Sequence, residues 1–129
     1  MKFLAALVLA AFSSGAFAQD NSIKICNPQN KSEYYQMTIK GKEAIEKVKD
    51  SSSLKTQKFV VNKTMNASLE DLRNMESRNN MNVRLVSGVA YDLGGQDFIV
   101  IAKDTNNVKY LFHILGPYTQ LVGDSSSCR

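Results

Sequence analysis

The sequence predicts an α+β protein: an antiparallel β-meander of about four to five strands packed against one or two helices. Three observations lead there. Apolar residues alternate with period two through much of residues 83–121, which marks strands with one face in a core. Two segments, 42–50 and 68–78, instead space their apolar residues at three and four, as helices do. Turn-forming residues, Gly94-Gly95, Asp104 to Asn107 and Gly116-Pro117, then cut the C-terminal half into hairpins.

Residues 1–18, MKFLAALVLAAFSSGAFA, read as a secretory signal peptide. Lys2 supplies the positive start, an apolar run follows, and Ala16-Phe17-Ala18 is a small-x-small cleavage site. The run is interrupted by Ser13, Ser14 and Gly15 and is too short to span a bilayer. The expected product is one domain, residues 19–129, exported to the extracellular space, or to the periplasm if the source is bacterial.

Along that domain, the alternation in SIKIC (22–26) gives a short strand ending before Asn27-Pro28. EYYQMTIK (33–40) places Tyr35, Met37 and Ile39 on one face and gives a second strand. KEAIEKVKD (42–50) groups Ala44, Ile45 and Val48, with Glu43 and Lys47 as an i,i+4 pair, and predicts a short helix. TQKFVVNK (56–63) is a strand around Phe59, Val60 and Val61. Ser68 with Asp71 three residues on is an N-cap signature, and Leu69, Leu72 and Met75 continue a helix that Asn79-Asn80 ends. Residues 83–93 form a strand whose alternation Ser87 interrupts. DFIVIAK (97–103) is apolar on both faces, as a central strand is. VKYLFHIL (108–115) and TQLV (119–122) complete the meander.

Composition excludes several chemistries. The chain has one His and two Cys, so neither a multi-histidine nor a four-cysteine metal site can be built within it. No cofactor or metal is expected. His113 sits among apolar neighbours and is read as structural, and the protein is not expected to be an enzyme. Loss of Lys2 takes the formal net charge from +4 to +3, and the bases are interleaved with acids along the chain. That pattern reads as a solvated surface without a nucleic-acid footprint. No second long apolar run follows, so no membrane partner is expected. Cys26 and Cys128, in an exported chain, are best read as one disulfide stapling the termini; two free or intermolecular thiols are the alternative. Asn30, Asn62 and Asn66 each open an N-x-Ser/Thr triplet, relevant only in a eukaryotic secretory route.

The stretches RLVSGVAYDL (84–93) and LFHILGPYTQLVGDSSSC (111–128) resemble the cystatin family of papain-like cysteine protease inhibitors. Val86 and Gly88 match that family's Gln-x-Val-x-Gly loop, with Arg84 where the Gln belongs, and Val89-Ala90-Tyr91 follows. Pro117-Tyr118 stands where the second loop carries Pro-Trp, and Leu121, the serines and Cys128 match the C-terminal pattern. The resemblance implies a monomeric, reversible, non-covalent inhibitor whose two hairpin loops fill a protease cleft. Its contacts would be Arg84, Leu85, Val86, Ser87 and Gly88 in one loop and Gly116, Pro117 and Tyr118 in the other. Pro117 would stiffen the second loop and Tyr118 would be its aromatic anchor. The alternative is a secreted binding module of the same fold without inhibition.

Overall fold

Among the described residues there are nine strands and one helix, joined by short turns. The computed structural model describes residues 20–129. The signal-peptide reading of 1–18 lies outside the described residues. Strands β1 (Asn21–Asn27), β2 (Asn30–Lys40), β3 (Glu43–Lys49) and β4 (Leu54–Val60) make a four-stranded antiparallel meander. Strand β5 (Lys63–Asn66), helix α1 (Leu69–Arg78), then β6 (Leu85–Gly94), β7 (Asp97–Asp104), β8 (Lys109–Leu115) and β9 (Tyr118–Asp124) follow, and their strands make a five-stranded meander in chain order. A 3₁₀ turn, Ser125–Cys128, ends the chain.

The architecture has three layers. The four-stranded sheet covers one face of the five-stranded sheet, and α1 covers part of the other. Between the sheets, Ile23, Met37, Ile39 and Ala44 meet Tyr91, Ile99, Ile101 and Leu111. On the helix side, Leu72 and Met75 meet Val100, Ala102, Tyr110 and Phe112. The central strand β7 thus buries Ile99 and Ile101 on one face and Val100 and Ala102 on the other, which is why its sequence is apolar throughout. The chain changes sheets at Val61-Asn62, where the Val61 amide donates to the Lys42 carbonyl at 2.8 Å and the Asn62 amide to the Asp92 carbonyl at 2.8 Å.

The expected single meander on one or two helices is corrected on two counts. There are two sheets rather than one, and among the described residues there is one short helix. The segment 42–50 is not helical: it is β3, paired with β2 on one side and β4 on the other. Nine residues are too few to hold an isolated helix, and the same residues read equally well with period two. Ala44 points inward and is fully buried, Glu46 follows inward, and Ile45 and Lys47 point outward. The deciding signal is Gly41, whose φ of +57° closes a tight turn between β2 and β3. The second expected helix does form. Ser68 caps it, accepting from the Asp71 amide at 3.1 Å while the Asp71 carboxylate accepts from the Ser68 amide at 3.1 Å.

Cys26 and Cys128 form a disulfide across a sequence separation of 102, joining β1 to the terminal 3₁₀ turn. Closing a loop of that length stabilises the fold by about 4–5 kcal/mol on the chain-entropy model. The bond accords with an oxidising, extracellular setting.

Candidate functional site

The β6–β7 and β8–β9 turns lie side by side. Gln96 and Gly116 each take positive φ, +65° and +58°, and the Gly116 amide donates to the Gln96 carbonyl at 3.0 Å. Leu115 and Tyr118, paired across the second turn, project outward at 51% and 75% exposure. The Arg78 guanidinium, from the last turn of α1, donates to the Pro117 carbonyl at 3.3 Å. Two turns and a helix end are therefore joined into one rim.

Behind that rim runs a groove of about 380 Å³ between α1 and the five-stranded sheet. Its floor is apolar: Met65, Phe98, Val100 and Ile114. Asp71, Asn74 and Arg78 recur along one flank of α1 and form its polar wall, and Gly116 and Pro117 close its end. An apolar floor with a few convergent polar groups is the general form of a ligand site.

The structure separates the two segments that the cystatin resemblance would bring together. Leu85 pairs with Asp104 at one end of β7, whereas Leu115 pairs with Asp97 at the other. Those ends are about 23 Å apart at ~3.3 Å per residue. Gly116, Pro117 and Tyr118 are at the rim; Arg84 and Leu85 meet Arg73 and Glu76 on the opposite flank of α1, and the chain from Val86 to Gly88 runs from there to beneath the helix. Leu85 is fully buried. Its amide donates to the Glu76 carboxylate at 2.7 Å, and its carbonyl accepts from Arg73 at 2.6 Å. Arg84 pairs with Glu76 at 3.5 Å. Val86 is the extra residue of a β-bulge, exposed together with Ser87. Gly88 is buried beneath α1, where a Cβ would stand 3.2 Å from the Leu72 side chain and 3.3 Å from Ala102. Its role is to let the helix approach the sheet.

A second, smaller crevice of about 280 Å³ opens between the sheets. Here the His113 ring nitrogen lies 2.7 Å from Asp97, both side chains being partly exposed. Across the same crevice the Tyr35 hydroxyl donates to Glu46 at 2.5 Å. Burial pushes the Tyr35 hydroxyl well above its ordinary range, and the Glu46 carboxylate adds to the shift. The lining contains no Ser, Thr or Cys. Among the described residues no group of three or more His, Cys, Asp and Glu is placed to hold a metal ion.

The sequence did not single out Gln96, Asn74, Arg78, Phe98 or Ile114. A polar spacing of three and four along Asp71, Asn74 and Arg78 was its one available signal. A scan against protein-family models, a search of curated proteins and a search of solved structures each found no match.

Proposed function

We propose that the chain is an exported, non-enzymatic binding module that takes an apolar segment of a protein partner at the rim and groove. The observation that carries this reading is the continuity of the two features: Gly116 and Pro117 belong both to the exposed turn and to the groove's end. The hydrogen bonds of the turns hold the rim before any partner arrives, which lowers the ordering cost of association. Tyr118 offers a large apolar ring with a polar tip, a residue type enriched among binding hot spots. An affinity capture from the medium into which the protein is exported tests it. Asn74→Trp, which fills the groove from an exposed helix position, should abolish capture of a protein retained by the unmodified chain; undiminished capture contradicts the reading.

Inhibition of a papain-like cysteine protease is the second reading, favoured by the adjacency of the two turns at Gln96 and Gly116. The wedge would then consist of residues 94–96 and 116–118, and residues 84–88 would take no part. Titration against papain decides it: inhibition should appear and weaken in Tyr118→Ala, and no inhibition at tens of micromolar removes it.

A further inference from the structure

We propose that the outer face of the four-stranded sheet is a docking surface for a bilayer bearing anionic phospholipids. The alternation of strands β1 to β4 sorts side chains between two faces. The inward face carries Ile23, Met37, Ile39 and Ala44 into the core. The register places Lys24, Lys40, Lys47, Lys49 and Lys58 outward, with Glu43 as the acid among them.

That face holds five bases and one acid, a net +4, against a formal net charge of +3 once Lys2 is left out. The chain has sixteen Lys and Arg and twelve Asp and Glu, so setting aside Lys2 and this face leaves ten bases and eleven acids elsewhere, a net −1. The positive charge of the molecule is therefore concentrated on one side. Glu43 meets Lys58 at 3.8 Å with both side chains largely exposed, an ion pair too weak to neutralise the face.

Three features select a lipid surface over a linear polyanion. The lysines are spread in two dimensions. Lys24 and Lys47 share a row two strands apart, Lys49 lies further along β3 in one direction, and Lys58 and Lys40 lie on other strands in the opposite direction. A planar array of charge suits a planar anionic surface better than a single thread. Exposed apolar side chains are set among the charges: Leu54 and Val60, on the outward side of edge strand β4, are 54% and 68% exposed. Apolar contact combined with attraction to anionic headgroups is the combination that holds proteins at an interface. Tyr34 lies on the same face under the Lys24 ammonium, 4.2 Å from its ring centroid, and tyrosine suits the headgroup level. Among the described residues no helix is long and apolar enough to cross a membrane.

Co-sedimentation of the disulfide-bonded protein with vesicles tests this. It should bind vesicles of equimolar phosphatidylcholine and phosphatidylglycerol at low ionic strength, leave pure phosphatidylcholine unbound, and be released by added salt. Lys47→Glu with Lys58→Glu should weaken binding about tenfold or more. Lys63→Glu with Lys103→Glu makes the same change in net charge away from this face and should leave most binding intact. Leu54→Ser with Val60→Ser should weaken binding to vesicles while leaving retention on heparin unchanged. Thermal unfolding checks that each variant is folded. Absence of vesicle binding overturns the proposal, and so does equal loss in the two charge-reversed variants, which would show attraction to net charge alone. Retention on heparin through Lys47 and Lys58 without vesicle binding also overturns it, in favour of a soluble polyanion.

Discussion

The amide of Gly116 donates to the carbonyl of Gln96 at 3.0 Å, so two turns that are twenty residues apart in sequence share one edge of the molecule. This bond fixes where Tyr118 projects and where the groove beside α1 ends.

Tyr118→Ala should weaken partner binding by about 2 kcal/mol, roughly thirtyfold, if Tyr118 is a hot-spot anchor. It should leave the melting temperature unchanged, because the side chain is 75% exposed and buries little in the free protein. Parallel affinity and thermal-melt measurements separate the two effects. A fall in stability would assign Tyr118 to the fold.

Gly88→Val should destabilise the protein by ~1–3 kcal/mol, since its side chain would enter space already held by Leu72 and Ala102. Denaturant titration measures it. A neutral effect would mean that α1 sits further from the sheet than its contacts indicate.

The strands of the C-terminal half were legible because burial follows period two and Gly or Asn-rich turns punctuate it. The placement of Leu85 to Gly88 is not legible in the sequence, for a related reason. The bulge at Val86 shifts the alternation, so Leu85 and Gly88 both face the helix side while Tyr91 faces the other sheet. A Val-x-Gly pattern looks the same whether it lines a binding loop or seats a helix. Segment 42–50 satisfies both periods, and the turn at Gly41 together with its partners β2 and β4 decides between them. Gly94-Gly95 and Gly116-Pro117 mark the two turns of the rim, but their adjacency at Gln96 and Gly116 follows from strand register and has no local signature.

Glu76→Ala should cost about 3 kcal/mol or more. Its carboxylate accepts from the Leu85 amide and Arg73, both at 2.7 Å, at the join between α1 and β6. Truncation strands a buried amide and a partly buried guanidinium. Glu76→Gln, which keeps an acceptor, should recover part of the loss, and chemical denaturation of the two variants gives the comparison.

Stability should fall at acid pH partly through Asp104. Burial pushes its carboxyl up, but the Tyr110 hydroxyl and the Asn106 and Val108 amides outweigh that and hold it below its usual range. A group whose pKa is depressed by folding contributes stability above its unfolded value near ~3.9 and loses it as the pH falls through the folded value. Exposed Asp50, held at about 2 by Ser52 and Ser53, adds to the same limb. Asp104→Asn should lower stability at neutral pH and flatten the acid limb. An unchanged slope below pH ~4 would remove Asp104 from the account.

Reduction of the Cys26–Cys128 bond should lower the melting temperature by roughly 15 °C or more, given ~4–5 kcal/mol from loop closure in a domain of this size. Thiol titration of the native protein should find none free, and two titratable thiols would contradict the staple.

The central claim is that partners meet the Gly116–Tyr118 end of the sheet and not the Val86 end. Both Tyr118 and Val86 are exposed, at 75% and 51%, on opposite ends of the same sheet. Photo-crosslinking from each position in turn, in medium conditioned by the source cells, measures the difference directly. The account expects a protein adduct from position 118 and none from position 86. An adduct from 86 alone would contradict it.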